Sequence, residues 1–364
     1  MAALYANRRA RCRWAAPDPL VTFPTPRCCR LGHGSASDPL RHTSAVARRI
    51  DLTRSLARDI GAVRQAVLAW YAVEQRSFPW RGTHDPWAVL VSEVMLQQTQ
   101  ASRVSDRYPA FLARFPTARV MASATDADVL GAWSGLGYNR RALALRRVAQ
   151  HVAAEGWPRD VAGLAGLPGV GPYTARAVAA LAFGLPVGAV DTNVRRWLVR
   201  RFDAHDARPA DLQALADALA HPPGAPTPSA AEAASWMHAS MEFGAGICAQ
   251  RNPRCDTCPI AAGCPSRGRA MAVPVPRQAP FAGSLRAARG RILRELTASS
   301  HHRVGARRLR TLVGAEAFKG AMPGLERDGL AHRIGDWVRL GGGSASRLQS
   351  ADEPGRRTRQ ASAR

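Results

Sequence analysis

Three groups of residues in this 364-residue chain have types and spacings that could do chemistry. The first is a pair of acids. Glu93 sits in Val91-Ser92-Glu93-Val94-Met95-Leu96-Gln97-Gln98-Thr99-Gln100, among apolar side chains whose burial would raise its pKa toward that of a useful general acid. Without burial it is an ordinary exposed glutamate on an amphipathic helix. Asp191, in Val190-Asp191-Thr192-Asn193-Val194-Arg195-Arg196, reads by itself as a helix N-cap. The second group is Cys248-x6-Cys255-x2-Cys258-x5-Cys264, four thiolates in a compact loop, enough to close a tetrahedral metal or a cubane site. Structural zinc usually pairs its ligands as two CxxC knuckles, and one is present here, which favours iron–sulfur and leaves zinc open. The third group is Leu167-Pro168-Gly169-Val170-Gly171-Pro172-Tyr173. Two glycines one residue apart let the backbone turn tightly, and the helix that follows offers free N–H groups and a positive dipole end to a phosphate. A plain helix–helix turn would share these residues.

Positioning these groups falls to helices. From about residue 58 to 247 apolar residues recur at three and four, as in Ala62-Val63-Ala66-Val67-Trp70-Tyr71 and Leu143-Leu145-Val148-Val152, while strand-like alternation is nearly absent. Pro79, Pro116, Pro158, Pro168 and Pro186 fall between helical stretches, so the domain reads as all-α. Residues 1–57 are rich in Arg, Pro and Ala and poor in acids, which predicts a disordered segment. It has the composition of an organelle transit peptide, and equally of translation begun too far upstream. Residues 271–283 read as a linker. Residues 284–340 offer two helical stretches, Leu285 to Leu296 and Ala306 to Val313, then a hairpin at 329–340, a winged-helix-like pattern. Residues 341–364 are Gly-, Ser- and Arg-rich and predict a disordered tail.

With 51 Lys and Arg against 27 Asp and Glu, the formal charge is +24, which points to a polyanionic partner, nucleic acid first. Arg-rich ends inflate that figure. Only Lys319 among the basic residues is a lysine. No run of eighteen apolar residues is present, so no membrane span is expected. Seven cysteines, with Cys12, Cys28 and Cys29 apart from the cluster of four, suggest metal ligation in a reducing compartment rather than a disulfide framework.

The motifs together resemble those of the endonuclease III, or helix-hairpin-helix, superfamily of base-excision DNA glycosylases, and among them the adenine-specific MutY type. Cys-x6-Cys-x2-Cys-x5-Cys is the cluster spacing of that superfamily, LPGVG followed by a helix is similar to its DNA-gripping hairpin, and SEVMLQQTQ resembles the catalytic helix of the adenine-specific branch. The resemblance covers residues 60 to about 270. It implies a two-lobed fold, a six-helix lobe at 79–187 bearing the hairpin and a cluster lobe made of 58–78 plus 188–270, with DNA in the cleft between. It implies a [4Fe-4S] cofactor on Cys248, Cys255, Cys258 and Cys264, and DNA contacts from Gly169, Val170 and Gly171. Glu93 would protonate a ring nitrogen of a flipped adenine and Asp191 would stabilise the sugar cation left behind, with Asn193 and Tyr173 holding the carboxylates. Gln98 and Tyr138 match positions whose side chains wedge into the duplex. Trp80 and Arg81 match the wall of the base pocket.

The expected partner is double-stranded DNA with A:8-oxoguanine or A:G mispairs, bound by a monomer in a bacterial cytoplasm, near the nucleoid. Strand-cleaving relatives use a lysine just after the hairpin as Schiff-base nucleophile. Tyr173 stands there, so a monofunctional glycosylase is expected. The nearest rival is a thymine or uracil mismatch glycosylase on the same fold, which Glu93 with Gln97-Gln98-Thr99 disfavours; a non-catalytic DNA-binding scaffold is a second. Three departures stand out. Asn139 replaces the second of two tyrosines. His238 stands where adenine-specific relatives commonly carry Gln or Glu against the base. The space after residue 270 is too short for the Nudix-like domain that many of them use on 8-oxoguanine.

Overall fold

The computed structural model describes residues 54–269 and 280–341, residues 54–58 by backbone alone. The expected disordered ends, most of the linker, and Cys12, Cys28 and Cys29 lie outside the described residues.

Helix α1 (Arg54–Glu74) begins four residues ahead of the boundary expected at 58. It turns Ile60, Val63, Val67 and Tyr71 inward at the spacing of one helix face. Seven helical segments follow, where six were expected between 79 and 187: α2 (Pro86–Leu96), α3 (Ala101–Arg114), α4 (Ala118–Ser123), α5 (Asp126–Ala132), α6 (Arg140–Glu155), α7 (Val161–Ala165) and α8 (Pro172–Phe183). The extra segment is a turn of five residues, α7, capped by Asp160 through Gly163 N–H at 2.8 Å. Helix α2 is buried on every side from Trp87 to Met95. Its start is set by Asp85, whose carboxylate accepts from the Trp87 and Ala88 amides, and by Pro86 in the first turn. Helices α9 (Thr192–Phe202), α10 (Pro209–Ala220) and α11 (Ala230–Gly246) complete the helical body.

Two apolar cores divide these elements. One gathers α2 to α8; the other gathers α1, α9, α10 and Ile260. Helix α11 serves both, giving Ala234 and Met237 to the first and Trp236, Ala239 and Phe243 to the second. A helix in that position must be apolar nearly all round. It must also come close to α9: a Cβ on Gly244 would lie 2.7 Å from the Asn193 carbonyl oxygen.

The C-terminal module has more structure than its sequence announced. After α12 (Leu285–Ala298) come β1 (Arg303–Gly305), α13 (Ala306–Val313), a third helix α14 (Ala315–Arg327), β2 (Ala331–Ile334) and β3 (Trp337–Leu340), with sheet order β1-β3-β2, all antiparallel. Helix α14 was missed because Gly320, Pro323 and Gly324 lower its intrinsic helicity. Burial of Phe318, Ala321, Met322 and Leu325 along one face overrides that propensity, and the glycines fit against Leu285 and Arg289. The module continues the first core. No described helix is long and apolar enough to cross a membrane.

Candidate active site

Helix α2 carries Glu93 into the interior, 4% exposed, between Val91 and Val94. Helix α8 brings Tyr173, at its second position, to hydrogen-bond with that carboxyl. Asp191 approaches closely enough for its charge to be felt by both. Burial pushes the Glu93 pKa up from 4.5 to about 7; the Tyr173 bond works against this and the Asp191 charge adds to it. At neutral pH a large fraction of Glu93 therefore holds a proton. The Tyr173 hydroxyl also lies 2.8 Å from Met241 Sδ on α11, and burial drives its own pKa well up.

Asp191 does what its sequence context offered, capping α9 through Val194 N–H at 2.6 Å, and its second oxygen accepts from Asn193 Nδ2 at 3.0 Å. Burial raises its pKa, opposed by the Val194 and Asn193 donors and the Arg196 charge. The contacts of Arg196, a residue of the same segment, were not foreseen. Its guanidinium, almost wholly buried, donates to Asn193 Oδ1 at 3.0 Å, to the Gly244 carbonyl and, through Nε, to the Cys248 carbonyl at 2.8 Å. One side chain thus joins the support of Asp191 to the first residue of the cysteine loop. Five of the groups singled out in the sequence, Glu93, Tyr173, Asp191, Asn193 and the start of the cysteine loop, form one connected region.

The hairpin runs Leu167 to Gly171 between α7 and α8. Gly169 has φ +80°, and a Cβ there would lie 2.8 Å from the Ala144 Cβ, so both backbone and packing require glycine. Gly171 caps α8 without a side-chain hydrogen bond, and its α-carbon faces open space, leaving the first turn of α8 suited to an anion. Val170 differs from expectation: its side chain is buried in the core and its amide closes the turn onto the Leu167 carbonyl at 3.1 Å. Its part in the hairpin is packing.

Gln98 and Tyr138 are both exposed and both hold left-handed backbone, φ +54° and +47°. The residue that pairs their loops, Arg141, was not singled out. Its guanidinium donates to the carbonyls of Val94 (2.7 Å), Met95 (3.1 Å) and Gln97 at the end of α2. It also donates to Leu136 (3.2 Å) and Gly137 (3.1 Å) before Tyr138, and stacks on Trp133 and Tyr138. Carbonyls at a helix C-terminus lack intrahelical donors, and Arg141 supplies them from the first turn of α6. A hint lay in the sequence, as Arg141 is three residues past Tyr138.

The pocket candidates separate. Trp80 is stacked on Phe78 at 4.7 Å and set edge-on to Tyr108 at 5.9 Å, so its ring belongs to the core. Arg81 lies over Tyr71 and Phe78 and pairs with buried Glu242 of α11, as does Arg76 at 2.8 Å. Burial raises the Glu242 pKa, but the Arg76 and Arg81 bonds outweigh it and hold it below its usual range. His238, one turn earlier on α11, is pushed down to about 4 by burial and by Arg81, Glu242 opposing and His84 assisting. It is neutral at pH 7. Glu242 escaped notice because a lone acid four residues past His238 gives no sign of burial.

The four clustered cysteines are free thiols. They line one solvent-open pocket with Arg200, Ile247, Pro253, Arg254, Ala261, Ser266, Arg267 and Arg269. Among the described residues no three side chains are drawn to the spacing of a single ion. The Cys258 thiol, pushed up to about 11 by burial, also feels Cys248, Cys264 and Cys255, so the four face a common space. Arg200 Nη1 lies 3.6 Å from Cys248 Sγ.

The "HhH-GPD superfamily base excision DNA repair protein" profile matches residues 91–221, the stretch that holds Glu93, the hairpin and Asp191. The chain is 42% identical over 238 residues to the adenine DNA glycosylase of Mycolicibacterium smegmatis, covering 62% of this chain and 78% of that one. To the adenine DNA glycosylase of Homo sapiens it is 38% identical over 229 residues, 58% of this chain and 40% of that one. Among solved structures it is similar to a thermostable thymine-DNA glycosylase, TM-score 0.52 and 29% identity over 59% of this chain and 98% of that chain. Fold and site define a helix-hairpin-helix base-excision protein. The chain belongs to the adenine DNA glycosylase family.

Proposed function

We propose that the protein hydrolyses the N-glycosidic bond of adenine mispaired with 8-oxoguanine or guanine in duplex DNA, without cutting the strand. The observation that carries this is a buried carboxyl, Glu93, poised near neutrality beside a second carboxylate, Asp191. A purine leaves readily only when its ring is protonated, and an acid with a pKa near the working pH is both charged with a proton and willing to give it up. Glu93 donates that proton to a ring nitrogen, the bond from sugar to base breaks with its electron pair going to the base, and Asp191 stabilises the sugar cation until water adds. Tyr173 and Asn193 hold the two carboxyls. Neutral His238, with Arg81 beside it, offers a hydrogen bond to the base edge. Strand cleavage through a Schiff base has no nucleophile here, since Tyr173 occupies the position after the hairpin and Lys319 is the chain's one lysine.

Cys248, Cys255, Cys258 and Cys264 would hold a [4Fe-4S] cluster, and the shared pocket and reduced thiols support that reading. Bound there, the cluster would stiffen the loop that Arg196 ties to Asn193. Iron and sulfide in the purified protein, with a broad visible absorption band, would support it; stoichiometric zinc would correct the metal.

The decisive assay is single-turnover excision from oligonucleotides holding A:8-oxoguanine, A:G or T:G. Release of adenine alone, from the first two, is expected. Release of thymine from T:G would replace this reading with a thymine glycosylase, and equal rates on the two adenine substrates would remove the 8-oxoguanine preference.

A further inference from the structure

The C-terminal module presents a sheet face that no described element covers. Strand pairing sets Arg303 and His332 on either side of Arg339, so the three form a row across the sheet. The next row holds Gly305, Trp337 and Ile334. Their chain neighbours Val304, Val338 and Ala331 are buried toward the helices, so the alternation of a strand puts both rows outward. Trp337 is 49% and Ile334 55% exposed. The Arg303 guanidinium lies 5.0 Å from the Trp337 ring.

This row is unfavourable in isolation. Like charges directly opposite on a ladder repel. Some surface arginines meet acids, as in Arg114 with Asp128 and Arg208 with Asp211; Arg303 and Arg339, like many others, form no ion pair among the described residues, but here the two stand directly opposite each other on the ladder. The nearest acid on the strands, Asp336, sits at the hairpin turn. Residues 280–341 as a whole hold twelve Lys and Arg against five Asp and Glu. An anion on this face would relieve the repulsion, and an exposed indole beside cations suits a polyanion with apolar edges.

The place of the module narrows the choice. Asp328, at the end of α14, takes Arg140 at 3.6 Å and also Arg289. Arg140 opens α6, two residues past Tyr138. From Asp328 to His332 the chain runs four residues, at most about 14 Å, so the row begins within that reach of the acid that Arg140 meets, and Arg140 follows the loop expected to wedge into DNA. Three strands set the row at about 10 Å in length, roughly three steps along a nucleic-acid strand of 3.4 Å rise.

We propose that this outer sheet face is a second contact for duplex DNA, Arg303 and Arg339 meeting phosphates of the arm that emerges past Tyr138 and Trp337 packing along the same backbone. It rests on duplex DNA being the substrate, so wild-type excision of adenine is measured first; its absence would remove the functional reading instead.

The test uses the full chain with Arg303→Ala/Arg339→Ala, Arg303→Lys/Arg339→Lys and Trp337→Ala. Affinity is measured by fluorescence anisotropy against salt, on a duplex with two long arms and on duplexes shortened on one side or the other. Losing two phosphate contacts should lower the slope of log affinity against log salt by about 1.8 and weaken binding to the long duplex about tenfold or more. The lysine pair should restore the slope, and shortening one particular arm should erase the difference between wild type and variant. Single-turnover excision at saturating enzyme should be unchanged. An unaltered slope, or a loss that persists whichever arm is shortened, would overturn the proposal, and a face that takes an acidic protein or RNA instead would show the former.

Discussion

Replacing Glu93 by glutamine keeps the side chain's shape and its partner Tyr173 while removing its proton chemistry. The buried carboxyl holds its proton to about pH 7, against 4.5 when exposed. Because the folded pKa is the higher one, the native state keeps a proton that the unfolded chain releases between those values. Stability owed to protonated Glu93 is therefore complete below about pH 4.5 and lost by about pH 7. Each tenfold change in acidity corresponds to about 1.4 kcal/mol, so the wild type should carry a penalty of about 3 kcal/mol above pH 7 that Glu93→Gln lacks. Relief of the repulsion on Asp191 acts in the same direction. Urea unfolding of both proteins at about pH 4 and about pH 9 measures it: near-equal stability, or a small offset, at the lower value, and a more stable variant at the higher one. In the proposed mechanism the same proton goes to the base, so wild-type single-turnover excision should fall as pH rises through about 7 and the variant should lose roughly 10²- to 10⁴-fold. A stability difference that stays flat across this range would refute the burial of an acid at this site, however active the enzyme.

Tyr173→Phe removes a bond that lowers the Glu93 pKa, so the fall in excision should move to higher pH in a rate profile even if the maximum drops. Gly244→Ala would drive a Cβ to 2.7 Å from the Asn193 carbonyl; about 1 to 3 kcal/mol of stability and most of the excision activity should go together, measured by melting and single-turnover rate. Arg141→Ala strips donors from the end of α2 and from the loop before Tyr138 at once, each buried acceptor left open costing about 1 to 3 kcal/mol. A marked drop in melting temperature with weaker duplex binding is expected, and Arg141→Lys, which keeps charge but not the planar fork, should recover only part.

Much of the site was legible because its parts are local. A glutamate in an apolar run, an aspartate ahead of a helix, a Gly-x-Gly turn and four spaced cysteines each need only neighbours in sequence to be noticed, and the periodicity of α1 and α6 places the helices. Resemblance then joined them. Folding decided whatever depends on who sits opposite. The poise of Glu93 comes from its depth and from Tyr173 and Asp191, 80 and 98 residues away along the chain. Arg196 spans from Asn193 to Cys248, Arg141 from Tyr138 to α2, and Glu242 holds Arg76 and Arg81; in sequence none of the three shows whom it will meet, because a charge declares nothing about its partner until packing removes the water around it. Trp80 shows the converse, a side chain expected at the pocket wall and found packed in the core. The third helix of the C-terminal module was hidden by its glycines and proline, whose cost in helicity is repaid only by surfaces that meet after folding. Local chemistry is written residue by residue, while burial and pairing belong to the tertiary structure, since both are properties of the space between elements.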